Sequence, residues 1–157
     1  MRRRPGSSLL LLITIAAAAI FFGRNILQQQ PVSPQAAIAY SKAQLGKPYL
    51  WGSAGPASFD CSGLVQQAYR WGAGLRTSQD QWASLRHISK PEPGDLVFFR
   101  GLLQPGEAPP GHVGIIVSVR RHLMIDAYAR GFPVEYDSFA LAGSKPGLSA
   151  VWGYASP

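Results

Sequence analysis

The chain changes its periodicity once, and that change limits the fold more than any single residue does. Between residues 35 and 86 apolar side chains recur at helical spacing; from Asp95 onward they come in short continuous runs broken by Gly, Pro and polar turns. Residues 35–45 place Ala36, Ala37, Ala39, Tyr40, Ala43 and Leu45 at helical intervals and stop at Gly46. Residues 47–52 read as an extended segment running into a Gly/Pro/Ser loop. A second helix starts at Cys61, carries Leu64, Val65, Ala68 and Tyr69 on one side, and is stopped by Gly72 and Gly74. A short third helix covers 77–86, with Thr77 or Ser78 as its N-cap. After the turn at 91–94, residues 95–100 form a buried strand, and 102–111 form a Pro/Gly-rich loop. Residues 112–119 and 123–129 make two strands joined through Arg120, Arg121 and His122, while 134–138 and 150–155 supply two more. Helices first and an antiparallel sheet second is an α+β pattern. No internal repeat interrupts it.

With 157 residues and 46% apolar content, the chain is long enough for one domain with a real core plus a short appendage. The formal charge of +7 divides unevenly. Arg2, Arg3, Arg4 and Arg24 supply four of those charges before the first acidic residue, Asp60; the remainder holds 11 Lys/Arg against 8 Asp/Glu. The domain is therefore only mildly basic. It lacks a Lys/Arg cluster with interleaved aromatics, so nucleic acid is a poor partner, whereas an anionic polymer such as cell wall suits the balance.

Residues 9–22 are an uninterrupted run of 14 lipid-tolerant residues behind the arginine triplet. A charged tip followed by an apolar stretch is the export pattern. Fourteen is short for a span, which needs about 17–25 residues, but Ser7, Ser8 and Gly23 extend it. The best small-residue cleavage site, at Ala17–Ala19, would leave a stunted apolar segment. The sequence thus favours an uncleaved signal-anchor over a removed signal peptide, with the arginines cytoplasmic and the domain facing the periplasm or cell exterior. No Cys follows the apolar stretch, which excludes a lipoprotein anchor. Residues 1–30 are assigned to tip, anchor and tether, and 31–157 to the domain.

Cys61 is the only cysteine, so the chain holds no internal disulfide and no Cys-rich zinc site. Its place at a helix start favours thiolate, the nucleophilic form, because unpaired backbone N–H groups and the positive dipole end face it. A buried Cys acting as a small hydrophobe is the bland explanation. His112 opens an apolar strand beside a loop mouth, and fourteen residues later Asp126 puts a carboxylate inside another apolar strand. A buried Asp is costly unless paired. If the hairpin brings them together, Asp126 orients the imidazole, and Cys61, His112 and Asp126 make nucleophile, base and orienter. Taken singly, His112 reads equally as a satisfied strand-end histidine and Asp126 as an edge-strand charge. The hairpin register is not fixed by sequence.

The stretches Gly46-Lys-Pro-Tyr-Leu-Trp-Gly52, Phe59-Asp-Cys-Ser-Gly-Leu-Val65, Leu75-Arg-Thr-Ser-Gln-Asp-Gln81, Pro93-Gly-Asp-Leu-Val-Phe-Phe99 and Gly111-His-Val-Gly-Ile115 resemble, in order and spacing, the NlpC family of bacterial cell-wall peptidases. The resemblance covers residues 36–155 and implies a papain-like fold, with N-terminal helices packed on an antiparallel sheet. It also implies hydrolysis of amide bonds in peptidoglycan stem peptides, commonly the γ-D-glutamyl–diaminopimelate bond, with no cofactor or metal. In that reading the Cys61 backbone N–H, helped by the Tyr49 hydroxyl, holds the oxyanion. Similarity also places Asp60, Ser62 and Arg76 along the substrate groove, although Asp60 reads as well as a helix cap and Arg76 as a surface charge. The third catalytic position of the family is often His; here it is Asp126. The preceding hairpin is about two residues longer than usual, and the loop at 102–110 is enlarged.

His87 and His122 lie in polar surroundings and are expected to be solvated. Of Trp51, Trp71, Trp82 and Trp152, most are expected in the core rather than lining a glycan groove. Two other functions use similar parts. One is a transglutaminase-like or amidase relative, since Cys–His–Asp in that order also serves acyl transfer. The other is a catalytically quiet wall-binding or structural module of an envelope apparatus such as secretion or conjugation machinery. The complete Cys61, His112 and Asp126 set argues against the quiet module, and the order Cys before His disfavours permuted papain relatives.

Overall fold

The structure, a computed structural model, describes residues 31–157 except 102, 104, 105, 141–144 and 146–150. The expected tip and anchor, much of the expected tether and part of the 102–110 loop therefore lie outside the described residues. No described helix is long and apolar enough to cross a membrane.

Helix α1 (Pro34–Lys42) starts where Ser33 accepts a hydrogen bond from the Ala36 amide at 3.2 Å and Pro34 takes the first turn. It is shorter than the 35–45 expected, because residues 43–46 unwind into turns that end at Gly46 with φ +83°. Helix α2 (Cys61–Ala68) follows N-cap Asp60, and a single 3-10 turn covers Ala73–Leu75. Helix α3 (Ser78–Ser84) has Thr77 as its N-cap, in a reciprocal capping box with Asp80.

Six strands form one antiparallel sheet: β1 (Arg86–Ile88), β2 (Leu96–Phe99), β3 (His112–Ser118), β4 (Leu123–Ala127), β5 (Val134–Ser138) and β6 (Val151–Ser156). Their spatial order is β1-β6-β2-β3-β4-β5. This is the α+β arrangement of helices and antiparallel sheet. The short strand β1 is a correction, since the sequence placed Arg86 at the end of a helix and assigned no structure just after it. Its three residues carry no alternation, and they become a strand only by pairing with β6 about seventy positions later (Arg86↔Ser156).

The Leu96-Val97-Phe98-Phe99 run of β2 is wholly buried, as a strand covered on both faces requires. Leu96 and Phe98 join Val113 and Ile115 against Val65, Ala68, Tyr69 and Ala37 of the helices. On the alternate parity Val97 and Phe99 pack with Ile116, Met124, Tyr128 and Phe139. Helix α2 is thereby fixed on the sheet through its apolar side, and its first residue stays at the surface. A third cluster of Phe59, Leu64, Ile125, Ala127 and Val134 locks the loop before α2 to β4 and β5. Tryptophan burial departs from expectation: Trp71 and Trp82 pack against the core, but Trp51 is 70% exposed and Trp152 45%.

Candidate active site

The segment before α2 zips onto itself. Leu50 donates to the Phe59 carbonyl at 3.0 Å, and Phe59 donates to that of Pro48 at 3.2 Å, a parallel bridge between Tyr49 and Phe59. With Phe59 fully buried, this pairing carries Tyr49 and Trp51 up to the start of α2. Asp60 then accepts from the Gly63 amide at 2.7 Å and leaves Cys61 as the first helical residue, half-buried, with its own N–H outside the intrahelical ladder. Gly63 is required by close approach: a Cβ there would lie 2.3 Å from the Ser53 carbonyl oxygen and 2.9 Å from Asp60 Oδ1.

Strand β3 places His112 beside that helix start, 3% exposed, and β4 places Asp126 wholly out of solvent. The register Ile115↔Ile125 of the β3–β4 pair brings the two side chains together, with His112 Nε2 and Asp126 Oδ2 2.7 Å apart. Gly114 sits between them in sequence and space. A Cβ at Gly114 would come within 2.6 Å of the Met124 sulfur and 3.5 Å of Asp126 Cβ. The imidazole also hydrogen-bonds Cys61, and since Nε2 is committed to Asp126, Nδ1 is the nitrogen left for the thiol. Burial alone would lower the His112 pKa. The hydrogen bonds to Asp126 and Cys61 and their negative charges outweigh it, and the pKa is pushed up to about 10. Phe99 and Tyr128 hold the ring from two sides at centroid distances of 5.7 Å each.

Asp60 does more than cap the helix. Arg76 grips it with both terminal nitrogens, at 2.9 Å to Oδ1 and 2.5 Å to Oδ2, and also donates to Ser62 Oγ at 3.1 Å. The Gly52 amide adds a bond to Oδ2 at 2.8 Å. Arg76 is thus an ion-pair partner and not a lone surface charge. Its pKa is raised, first by the Asp60 hydrogen bond. Tyr49 is pushed up to about 12 by burial and then by the negative charges of Cys61 and Asp60, against an opposing pull from Arg76, so its phenol stays a proton donor.

Two depressions meet at Cys61. One, of about 210 Å³, is lined by Asp60, Ser62, Arg76 and Gln79; the other, of about 400 Å³, by Tyr49, His112, Tyr128 and Arg130. Trp51, Cys61 and Gly111 belong to both, so a continuous groove crosses the sulfur. Such an arrangement suits an extended chain whose central group lies at the Cys61 sulfur.

Sequence reading did not single out Gln81. It is fully buried and donates to the Ser62 and Leu75 carbonyls at 2.9 and 3.0 Å, bracing the start of α2. A polar residue inside a short amphipathic helix was the available signal. Tyr128 and Arg130 were also missed, because only the turn after β4 brings them to the groove. His87 and His122 are exposed and lie outside both depressions; His87 stacks on Trp82 with ring centroids 3.7 Å apart. Among the described residues no group of acidic, His and Cys side chains could hold a metal ion.

The model of the NlpC/P60 family matches residues 46–151. The protein described as "Probable endopeptidase p60" from Listeria innocua is 42% identical over 115 residues, covering 69% of this chain and 22% of that protein. The bifunctional muramidase/DL-endopeptidase CwlT of Bacillus subtilis is 47% identical over 78 residues, covering 46% of this chain and 23% of its own length. This chain spans about a fifth of the length of the curated relatives it matches. Among solved structures, the NlpC/p60 domain of the peptidoglycan hydrolase SagA superposes with a TM-score of 0.60 at 27% identity, covering 80% of this chain and all of that one.

Proposed function

The chain belongs to the NlpC/P60 family, and on that premise we propose that it is a cysteine peptidase hydrolysing amide bonds in peptidoglycan stem peptides, the γ-D-glutamyl–diaminopimelate bond foremost. The observation that carries this reading is the buried 2.7 Å contact between His112 and Asp126, with the second nitrogen of the imidazole left for the lone cysteine.

The chemistry follows from those positions. A proton held on His112 leaves Cys61 as thiolate, which attacks the substrate carbonyl carbon. The developing oxyanion accepts from the Cys61 backbone N–H and from the Tyr49 hydroxyl. His112 Nδ1 gives its proton to the departing amine, the C–N bond breaks, and a thioester remains. His112 next takes a proton from water; the hydroxide adds to the thioester, the C–S bond breaks to regenerate the Cys61 thiolate, and the carboxylic acid is released. Through both steps Asp126 holds the Nε2–H and fixes the ring in one tautomer.

Residues 1–30 serve in this reading as an export signal that stays as an anchor, which puts the domain against the wall. Shaving intact cells or spheroplasts with protease tests it: digestion of the domain is expected, and full protection would refute the orientation.

Mass spectrometry of muropeptides after incubation with the protein tests the reaction. New fragments ending in D-glutamate are expected, and Cys61→Ala should lose about 10⁴-fold or more of the rate. Digests of several wall types that match the Cys61→Ala control would refute hydrolysis.

A further inference from the structure

Two arginines face the groove from opposite sides of Cys61, and they are in opposite states. Arg76 is consumed by Asp60. Arg130 is exposed, and among the described residues it has no hydrogen-bond or ion-pair partner, yet it lines the depression that also holds His112, Tyr49 and Tyr128. Its position is set by a braced turn. Phe132 donates to the Ala129 carbonyl at 3.0 Å, and Gly131 takes the φ of +93° that such a turn requires at its third residue. The far end is pinned to the segment before Tyr49: Val134 donates to the Lys47 carbonyl at 2.7 Å, Gly46 donates to that of Val134 at 2.9 Å, and Pro48 pairs with Pro133. Arg130 is therefore presented from fixed backbone four residues after Asp126.

The proton donor decides which part of the substrate meets Arg130. In the peptidase reading, on which this inference rests, His112 protonates the departing nitrogen. The residue that supplies the amine must then lie on the His112 side, in the depression that Arg130 borders. Asp126 is wholly buried and turned to His112. Glu135 and Asp137 are held by Lys145 at 2.8 and 2.6 Å. The rim thus offers a planar, permanently charged fork to an incoming anion.

We propose that Arg130 recognises a free carboxylate on the amino acid that supplies the leaving amine, making this protein selective for substrates whose carboxyl at that position is not amidated. A carboxamide of the same shape keeps the hydrogen-bond acceptor and loses the charge. For an exposed arginine that difference is worth up to about five-fold in affinity.

The test uses the full chain carrying Cys61→Ala and the tripeptide L-alanyl-γ-D-glutamyl-diaminopimelate with both carboxyls of the diaminopimelate residue, whose two carboxamides are compared, left free. Its α-carboxamide and side-chain carboxamide complete the set, and binding is read by titration calorimetry. One carboxamide should bind about five-fold more weakly than the free acid, identifying the carboxylate read. Adding Arg130→Ala should bring that ratio to about one, and Arg130→Lys should keep roughly three-fold, because a point charge lacks the fork. Hydrolysis of the same three peptides by the protein with Cys61 intact runs beside it. Equal binding and equal hydrolysis of all three would overturn the proposal and leave the peptidase reading standing. Arg130-dependent discrimination without hydrolysis would support recognition and remove the peptidase reading. Discrimination that survives Arg130→Ala, or no binding of any peptide, would overturn the proposal.

Discussion

The two walls of the groove are built on different accounts of their polar atoms. On the Asp60 side almost every donor and acceptor is spoken for. The two oxygens of Asp60 together take the Gly52 and Gly63 amides, Ser62 Oγ and both Arg76 nitrogens; among the described residues Gln81 Oε1 is the buried atom left open on this side. On the His112 side, Asp126 Oδ1 and the Tyr128 hydroxyl are buried without partners among the described residues, and Arg130 stands open at the rim. A saturated network holds a shape. An unsaturated one is cheaper to rearrange, and on this side Arg130 stands where an incoming group can reach it. The difference teaches that the first wall acts as frame and the second as working face.

The strongest way to break this contrast is to damage the working face. Asp126→Ala should lower kcat/KM for muropeptide cleavage by about 10³-fold while leaving the sheet folded, since it removes the group that orients the imidazole. Asp126→Asn adds a signature that a structural role would not show. The His112 pKa is raised above its ordinary 6.5, so the protonated imidazole contributes stability that is fully present below pH 6.5 and lost as pH rises through about 10. Without the Asp126 charge the alkaline limb of the pH–rate profile should move down toward neutrality. An unmoved limb would demote Asp126 to packing.

Damage to the frame should read out in stability instead. Asp60→Ala strips the cap from α2 and leaves Arg76 unpaired, and should cost about 3 kcal/mol in denaturant unfolding. A loss under about 1 kcal/mol would mean the wall is less closed than its hydrogen bonds imply. The smallest effect tests the boundary between the two walls, where Tyr49 stands. Tyr49→Phe should reduce kcat about ten-fold with little change in KM, the mark of a donor used only in the transition state. Because the phenol is pushed up to about 12, that deficit should stay flat from pH 6 to 10. A deficit confined to KM would move Tyr49 to substrate binding.

The frame and the working face were also unequally legible in the sequence. Helix α2 announced itself through Asp60, Cys61 and the apolar set Leu64, Val65 and Ala68, because capping and helical periodicity are local. The strands at 95–100 and 112–119 were equally plain as apolar runs, and the structure trims them by one or two residues, while the less marked 134–138 keeps its expected bounds. What no local rule supplied was pairing across the chain. The β3–β4 register that joins His112 to Asp126 depends on an irregularity between Ile116 and Ser118. The grip of Arg76 on Asp60 spans sixteen positions, and Gln81 reaches back nineteen to Ser62. Arg130 looked like any charged turn residue until the turn was anchored beside Tyr49.

Helix α2 has a second end, and what sits there matters for how the domain is held. The Tyr69 hydroxyl, one residue past the helix, bonds the carbonyl of Gly94, and the Gly94 backbone is packed so tightly on Pro34 that a Cβ would come within 2.3 Å of its side chain. The chain therefore enters the folded unit near the end of the helix remote from Cys61, about 12 Å away along an axis that rises 1.5 Å per residue. A load applied at Pro34 would thus be passed through Gly94 and Tyr69 to the tail of α2, a helix length from Cys61.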